Sequence, residues 1–297
     1  DYFLASKSLP WWAIGASLIA ANISAEQFIG MSGSGFAVGL AIATYEWMAA
    51  LTLIIVGKFF LPIFIKKGLY TIPEFVEKRF SSQLKTILAV FWIGLYVFVN
   101  LASVMYLGGL ALQTILGIDM LTGVIGLAAF AAAYSLYGGL SAVAWTDIIQ
   151  VVVLILGGLV TTYLALDTVS GGQGFMEGLT TIYHAVPEKF DMILDRSNPE
   201  FMNLPGIGVL IGGMWVANLY YWGFNQYIIQ RTLAAKSLEE SQKGILFAAG
   251  LKMIIPIIVV IPGIAAYVIV NDPTLLASLG EAGVNNIPSS GAADKAY

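Results

Sequence analysis

The amino-acid sequence predicts an all-α protein whose chain crosses a membrane several times. Hydrophobic residues make up 58% of the 297 residues and charged residues 11%, whereas soluble domains average about 45–50% apolar and about 25% charged residues. Stretches without Asp, Glu, Lys or Arg occur at 86–118, 120–146, 148–166, 201–230 and 253–271. Each reaches the ~17–25 residues that a helix needs to cross the hydrocarbon core, so the lipid bilayer is the expected environment.

The same composition excludes several classes of protein. A net charge of −4 and an isoelectric point near 5.0 give no positive surface for nucleic acid. The sequence has no cysteine and one histidine, His184, which excludes disulfides, thiol catalysis and clusters of Cys or His ligands. It contains no nucleophile–base pair and no cofactor motif, so we expect neither an enzyme nor an organic cofactor. The chain begins at Asp1 within a helical pattern and ends at Tyr297 without a cap, which indicates a fragment of a longer protein.

Seven membrane segments are predicted, and several contain Gly or Pro, which membrane helices tolerate when neighbouring helices satisfy the freed backbone groups. Their approximate bounds are 9–32, 36–64, 86–113, 120–137, 143–168, 206–230 and 244–271. The sequence TIPEFVEKRF at 71–80 has a Thr cap, an early Pro and acids before bases, which predicts a short interfacial helix. The stretch 169–205 is predicted to be a long external loop, and 272–297 a further external segment.

The positions of Lys and Arg predict the orientation, because cytoplasmic loops keep the positive charge. If every segment crosses the bilayer once, ten of the fourteen Lys and Arg residues fall on one side, most of them in 66–85 and 231–243. The other side has Lys189, Arg196 and Lys295. Odd-numbered segments therefore run from the inside to the outside.

The first segment carries polar residues about two-thirds along its length. The run AANISAEQFIGMSGSG places Glu26 and Gln27 among small residues. A charge near the bilayer centre costs about 2.5–3.5 kcal/mol on insertion scales, so it is a functional candidate. We expect the helix to break here and expose carbonyl groups, as in secondary transporters that bind cations and substrates. The alternative is a polar helix end at the interface, followed by a glycine-rich turn.

Two further charges lie inside predicted membrane segments. Glu46, between Tyr45 and Trp47, can accept hydrogen bonds from hydroxyl groups while aromatic rings cover an apolar face, an arrangement typical of sugar sites. A structural ion pair or a helix end at the interface is the alternative. Lys252 is eight residues into the seventh segment. It either snorkels to the cytoplasmic surface or completes a polar pocket, paired with Glu46.

Other polar residues in the membrane segments also have two interpretations. Asn218 and Tyr221 share a helix face at i, i+3 spacing, beside Trp222; an aromatic belt at the interface is the alternative. Asp147 begins the fifth segment, either as an acid favoured by the helix dipole or as a way-station for a cation. Asn100 in the third segment suits an interhelical hydrogen bond.

Four stretches resemble the sodium/solute symporter family, and within it the bacterial sodium/galactose symporters and the related sodium/glucose cotransporters. They are DYFLASKSLPWWAIGASLIAANISAEQFIGMSGSG, ATYEWM, LYGGLSAVAWTDIIQV and MNLPGIGVLIGGMWVANLYYWGFNQYIIQRTLAAKS. The resemblance implies the LeuT-type fold, with two inverted five-helix repeats and discontinuous first and sixth helices. By this resemblance 1–168 is the first repeat, with its first helix broken, and 206–271 holds the first two helices of the second.

The resemblance also implies roles for individual residues around a sugar. Those that match sugar-binding hydrogen-bond partners are Gln27, Glu46, Asn218 and Lys252. Tyr221 matches an inner-gate ring that stacks on the sugar, with Trp222 beside it, and the outer gate matches Met31 and Tyr45. In one position this sequence departs from the galactose symporters, because Ala49 replaces a serine three residues after the glutamate, which leaves the sugar preference open.

The coupling ion implied by the resemblance is sodium. Its ligands match the backbone carbonyls of Ala20 and Ile23, where the first helix unwinds, and Asp147 matches a residue on the sodium exit route. The remaining matches support the site without touching the sugar: Asn22, which bonds the gate tyrosine, Glu26 and Asn100.

The expected function is therefore sodium-coupled symport of a hexose, galactose or glucose, by alternating access in a bacterial inner membrane. The partners expected are the sugar and the lipid bilayer, and the sequence assigns no oligomeric state. Two alternatives remain at this point. One is a sodium symporter of another solute, such as an inositol, sialic acid or proline. The other is a sugar-gated sensor or channel that does not accumulate its ligand.

Overall fold

The computed structural model describes residues 4–23, 25–204 and 206–278, apart from the side chains of Ala25 and Glu26. Every element in these residues is helical, and their one β-type contact is an isolated bridge between Leu9 and Ala235. The α-helices are α1 (Trp11–Asn22), α2 (Ala25–Ala37), α3 (Thr44–Ile55), α4 (Leu61–Lys66), α5 (Ile72–Arg79), α6 (Ser82–Leu95), α7 (Ala102–Leu116), α8 (Met120–Val169), α9 (Phe175–Ala185), α10 (Gly206–Gly208), α11 (Met214–Leu219), α12 (Gln226–Leu233), α13 (Leu238–Asn271) and α14 (Pro273–Ser278).

Five helical stretches in the described residues are long and apolar enough to cross a membrane. They are Leu40–Lys66, Ser82–Leu116, Met120–Val169, Pro199–Phe224 and Leu238–Asn271. Seven segments were expected, and two features of the structure explain the difference from five. The first segment is divided into α1 and α2, of 12 and 13 residues. The 50-residue α8 contains both the fourth and the fifth segment, which meet at Gly139, where φ is 57°.

Two helix breaks lie close to candidate site residues. Ile23, directly after α1, is extended, with φ −93° and ψ 103°. In the sixth segment, the π-helical turn Tyr220–Phe224 is followed by Asn225, which is extended before α12 begins. Helix ends leave backbone groups that the helix itself does not pair, and π-helical turns occur frequently at functional sites. Both breaks therefore present backbone polar groups within apolar stretches of the chain.

The short helix predicted at 71–80 is present as α5. The Thr71 hydroxyl accepts a hydrogen bond from the Glu74 amide at 3.2 Å, and a Glu74 carboxylate oxygen accepts one from the Tyr70 amide at 2.9 Å. The two bonds resemble a capping box, in which side chains satisfy the first amides of a helix. Lys78 pairs with Glu74 one turn later at 2.7 Å, so the local sequence accounts for this helix.

The described residues form two compact units. Unit 1 comprises those in Asp1–Glu26, Ala50–Val151 and Asn218–Gly250, and unit 2 those in Gln27–Ala49, Val152–Ala217 and Leu251–Tyr297. Long helices such as α8 and α13 contribute residues to both units. Among the predicted sugar-binding residues, Gln27, Glu46 and Lys252 belong to unit 2, whereas Asn218 and Tyr221 belong to unit 1.

In unit 1, α1 packs against α12. The residues just before α1 are also hydrogen-bonded to the residues just after α12. The amide of Leu9 donates to the carbonyl of Ala234, and the amide of Lys236 donates to the carbonyl of Leu9, both at 3.3 Å. Elsewhere in this unit, Phe64 makes edge-to-face contacts with Phe75 and Phe224 at centroid distances of 5.5 and 6.0 Å. These contacts attach α5 and the sixth segment to α4.

In unit 2, α2 and α13 approach each other closely through glycine. A Cβ atom on Gly35 would lie 2.7 Å from the carbonyl oxygen of Val260, and one on Gly263 would overlap the carbonyl oxygen of Ser32. Small residues that let helix backbones approach are typical of membrane helix packing. The 169–205 segment joins this unit through a buried apolar cluster of Val38, Ala41, Leu194 and Leu204.

Candidate functional site

A buried carboxylate, Glu46, is the centre of a polar cluster in unit 2. It lies in the first turn of α3 and is 5% exposed. Its Oε1 accepts a hydrogen bond from Gln27 Nε2 of α2 at 2.8 Å, and its Oε2 forms an ion pair with the ammonium group of Lys252 in α13. Three helices therefore converge on one carboxylate, and we call these three residues the Glu46 cluster.

The Glu46–Lys252 pair is shielded from solvent. Lys252 has no exposed surface, so it does not snorkel to the cytoplasmic side. Removing two charges from water costs several kcal/mol per ion, which their attraction offsets only with good geometry and further hydrogen bonds. A carboxylate can accept about four hydrogen bonds and an ammonium group donates three. The Glu46 carboxylate, which accepts bonds from Gln27 and Lys252, therefore has the chemistry to accept further hydrogen bonds from the hydroxyl groups of a polyhydroxylated molecule.

The two residues expected at an outer gate lie on the same elements as Gln27 and Glu46. The Met31 sulfur is 3.4 Å from Gln27 Nε2. Tyr45 is 41% exposed and lines a cavity of about 430 Å³ in unit 2. The other residues that line this cavity are Gly208, Val209, Gly213, Met214 and Ala217. Its volume lies within the range of about 300–1,000 Å³ that is common for small-molecule sites.

In unit 1, Tyr221 connects the end of α1 with the break in the sixth segment. Its hydroxyl accepts a hydrogen bond from Asn22 Nδ2 at 3.1 Å and shares another with the Tyr227 hydroxyl at 2.8 Å. Its ring meets that of the buried Trp222 edge to face, with centroids 5.0 Å apart. Because Asn22 is the last residue of α1, this contact joins the two broken segments.

A second tyrosine stabilises the break at Asn225. The Tyr96 hydroxyl donates to the side-chain oxygen of Asn225 at 2.7 Å and accepts from the Gln226 amide at 3.2 Å. The Tyr96 ring also packs edge to face on Tyr227 at 5.6 Å. The Asn225 side chain therefore stabilises the break through Tyr96, whereas the Gln226 side chain accepts a hydrogen bond from the Ile72 amide of α5 at 2.8 Å. The sequence did not reveal either role.

Asp147 belongs to a buried network in unit 1. Ser17 donates a hydrogen bond to Asp147 Oδ2, and Arg231 Nε donates to the Ser17 hydroxyl at 2.8 Å. The Nη2 atom of Arg231 lies 3.4 Å from the same carboxylate oxygen, and Nη1 donates to the carbonyl of Tyr227. The side chain expected on a sodium exit route is thus paired with a guanidinium group. A cation that binds to Asp147 has to compete with Arg231.

Arg231 is the residue of this network that the sequence reasoning missed. Its position after a charge-free stretch placed it among the cytoplasmic cations, whereas the structure buries it in α12 with 8% exposed. A signal was available, because Asp147 is the only charged residue in 120–166. A membrane-embedded acid requires a partner, and Arg231 is the first cation after the sixth segment.

The remaining predicted residues lie in different surroundings. Asn218 is buried in unit 1, 8% exposed. Asn100 is half-buried in the π-helical turn Tyr96–Leu101 and has no hydrogen bond to another described side chain, so the expected interhelical bond is not found within the described residues. The side chain of Glu26 lies outside the described part of the structure.

The residues expected to bind sodium through their carbonyls lie at the first helix break. Ala20 is in the last turn of α1, and Ile23 follows its end, with its amide donating to the carbonyl of Ile19 at 2.7 Å. The described residues contain no group of three or more His, Cys, Asp or Glu that could hold a metal ion. Carbonyl groups at an unwound helix are sodium ligands in secondary transporters, so the assignment of Ala20 and Ile23 as sodium ligands stays a prediction.

Comparison with known proteins identifies the family. The model of the sodium:solute symporter family matches residues 2–289. The chain belongs to this family. It is 71% identical over 297 residues to the sodium/glucose cotransporter of Vibrio parahaemolyticus, covering 100% of this chain and 55% of that protein. It is 36% identical to the human sodium/myo-inositol cotransporter 2, covering 93% of this chain and 42% of that one. The chain therefore spans about half the length of these relatives.

The structural comparison agrees with the family. A Na⁺-coupled sialic acid symporter, solved in a substrate-bound outward-open state, matches with a TM-score of 0.80 at 25% identity, over 100% of this chain and 63% of that one. The predicted LeuT-type fold is thereby confirmed. The family consists of transporters, and the apolar helices fit a multi-pass protein of the bacterial inner membrane.

Proposed function

We propose that the protein containing this chain is a sodium-driven hexose symporter that works by alternating access. The observation that carries the proposal is the Glu46 cluster, in which Gln27 and Lys252 meet one buried carboxylate. The 71% identity to a sodium/glucose cotransporter supports a hexose as the solute.

The Glu46 cluster supplies hydrogen bonds of both polarities to the sugar. Glu46 accepts from sugar hydroxyls, while Lys252 and Gln27 donate to them. The resemblance to the family assigns a further hydrogen bond to Asn218 and ring stacking to Tyr221, beside Trp222. Tyr221 is held in place by its hydroxyl bonds and by edge-to-face contacts of its ring with Trp222 and Tyr227, and its aromatic ring suits stacking on an apolar sugar face.

The outer gate consists of Met31 on α2 and Tyr45 on α3, the residues that adjoin the cluster. Met31 contacts Gln27. A movement that brings Met31 over the sugar therefore also moves Gln27, which binds the sugar. Tyr45 directly precedes Glu46 and borders the cavity in unit 2. Closure of these two side chains over the sugar excludes water from the hydrogen bonds of the cluster and strengthens them.

Sodium acts at the break that follows α1. The carbonyls of Ala20 and Ile23 bind the ion, and the break is only a few residues before Gln27. Sodium binding therefore orders Gln27 for the sugar, which is a coupling of two sites through one short segment. Asn22 lies in the same turn and bonds Tyr221, so the ion also acts on the gate tyrosine. Asp147 receives sodium on the way out, when Arg231 releases it.

The energetics of this coupling suffice for accumulation. Symport requires that the fully loaded or the empty carrier changes its conformation more readily than the carrier with sodium alone. One sodium ion that crosses 100 mV releases about 2.3 kcal/mol. This energy corresponds to about fiftyfold accumulation of sugar from the potential alone.

Uptake by the full-length parent protein tests the proposal. Labelled galactose is offered to proteoliposomes with an inward sodium gradient and with potassium in its place. We expect uptake that requires sodium and that is lost in Glu46→Ala. Glu177→Ala, an exposed acid of α9, is the matched control and retains uptake. Equal uptake in both ions, or uptake that no hexose competes, refutes sodium–hexose symport.

The same vesicles separate the alternatives. Unlabelled myo-inositol, sialic acid and proline are used as competitors, because relatives of this chain are named for two of these solutes. Counterflow of labelled sugar distinguishes a carrier from a channel or sensor. A carrier accumulates label transiently against unlabelled sugar inside the vesicle, and a channel does not.

A further inference from the structure

A lysine of the 169–205 segment contacts the ends of the two helices that meet at Glu46. Lys189 lies in the short 3₁₀ turn Pro187–Phe190. Its ammonium group donates to the carbonyl of Phe36 at 2.9 Å and to that of Ala37 at 2.5 Å, in the last turn of α2. The same group lies over the ring of Tyr267 in α13, 4.2 Å from its centroid. All of these residues belong to unit 2.

Every side of the Lys189 ammonium group has a partner in these contacts. An ammonium group has three donors; two of them meet carbonyls and the third side of the group meets an aromatic face, which attracts cations. Carbonyls at a helix C-terminus carry partial negative charge and favour a cation. Burial lowers the pKa of Lys189 from its ordinary value, and the neighbouring acids Glu188 and Glu200 raise it.

The backbone of the same residue fits against the chain after α2. Gly39 has φ +95°, and a Cβ atom there would lie 2.8 Å from Lys189 Cα. The ring of Tyr267 also packs edge to face on Phe36 at 5.3 Å. Both the backbone and the side chain of Lys189 therefore contact the end of α2. Tyr267 of α13 contacts both Lys189 and Phe36, so the 169–205 segment, α2 and α13 meet at this point.

These contacts lie far along the helices from the Glu46 cluster. Phe36 is about 13 Å along α2 from Gln27, and Tyr267 about 22 Å along α13 from Lys252, at 1.5 Å per residue. The glycine contacts of Gly35 and Gly263 lie in the helix stretches between the Glu46 cluster and the Lys189 contacts. The pair of helices is consequently fixed at one end by Glu46 and at the other by Lys189.

We propose that Lys189 is a positioning residue for sugar binding: it holds α2 and α13 in the register at which Gln27 and Lys252 both reach Glu46. This inference rests on the proposed function of the Glu46 cluster. Loss of the Lys189 contacts lets the two helix ends separate, which misplaces the sugar donors without removing any of them. The expected signature is a higher KM for sugar at an unchanged maximal rate per folded carrier.

The test combines uptake kinetics with a distance measurement in the full-length protein. Lys189→Ala and Tyr267→Leu are each expected to raise the KM for galactose about fivefold, which equals about 1 kcal/mol. Lys189→Arg keeps the charge and the donors, and Tyr267→Phe keeps the ring, so both remain within about twofold of the parent. Arg196→Ala removes an exposed cation of the same segment and is the matched control.

The distance measurement does not depend on transport. Spin labels are placed at Gly30 in α2, where an added Cβ atom would meet open space, and at the exposed Asn271 at the end of α13. These 297 residues contain no cysteine that would compete for the label, and any cysteine elsewhere in the full-length protein is replaced by serine before labelling. We expect the distance distribution to broaden in Lys189→Ala and to be restored in Lys189→Arg.

Each outcome of the two measurements decides the inference. An unchanged distance distribution in Lys189→Ala overturns the positioning role. A broadened distribution with an unchanged KM overturns it as well, because Lys189 then acts only as a cap of α2. If the parent shows no sodium-dependent uptake, the proposed function fails, and an unchanged label distance still refutes the positioning role by itself.

Discussion

The ion pair between Glu46 and Lys252 permits a quantitative test of the cluster. Lys252→Met removes the ammonium group at similar length and leaves Glu46 with its hydrogen bond from Gln27. The side chains of Lys252 and Glu46 are 0% and 6% exposed, so water does not replace the lost partner. Breaking a buried pair by removing one member costs about 3–5 kcal/mol, because an uncompensated charge remains.

The double variant Glu46→Gln with Lys252→Met removes both charges. An amide at position 46 can still bond with Gln27, so we expect a loss of only about 1 kcal/mol, the value of a typical net hydrogen bond. The two single changes are therefore strongly non-additive, with a coupling of about 3 kcal/mol or more in the free energy of unfolding. Such coupling is the hallmark of residues in one buried network.

The assay is reversible unfolding of the full-length protein in mixed micelles, followed by tryptophan fluorescence. The control is a pair on the same helix, Lys243 and Glu239, which lie 2.7 Å apart but are 52% and 74% exposed. Exposed pairs at i, i+4 spacing couple only weakly, because solvent screens the two charges. Coupling of similar size in the two cycles would refute the view that burial of Glu46 and Lys252 makes their pair a structural and functional centre.

Two other predictions use the same assay. Arg231→Gln leaves Asp147 buried without its cation, so we expect a loss of about 3 kcal/mol; addition of Asp147→Asn should recover at least half of it, and no recovery would show that the guanidinium acts through other contacts. Gly263→Ala forces a methyl group against a neighbouring carbonyl and is expected to cost about 1–3 kcal/mol. Gly250→Ala in the same helix meets open space and should be neutral or slightly stabilising; equal effects at the two glycines would contradict close packing of α2 on α13.

Much of the fold follows from the sequence, because the bilayer imposes a simple rule. Backbone polar groups must be paired within each segment, so charge-free stretches of sufficient length become helices. The short helix after Thr71 was predicted for a local reason, since its cap and its acids lie within a few residues. The bounds inside α8 were harder to predict, because only the φ of Gly139 divides two segments in a continuous helix.

The candidate residues were found by the cost of burying polar groups in a membrane. Glu46 and Lys252 stood out because each is an isolated charge in an apolar stretch, but the sequence left open whether Lys252 snorkels. Arg231 was not found, since a cation after an apolar stretch fits a cytoplasmic loop equally well. Lys189 was also missed, because it lies in a polar segment where a lysine needs no explanation.

The sequence by itself determined the class of protein, the membrane segments, the resemblance to sodium/solute symporters and the identity of the costly polar residues. These properties depend on composition and on neighbours along the chain. Only the tertiary structure decided the partners: Glu46 with Gln27 and Lys252, Asp147 with Ser17 and Arg231, and Lys189 with the ends of α2 and α13. These contacts join residues that are between 19 and 206 positions apart in the chain, and helix packing, which no local pattern encodes, brings them together.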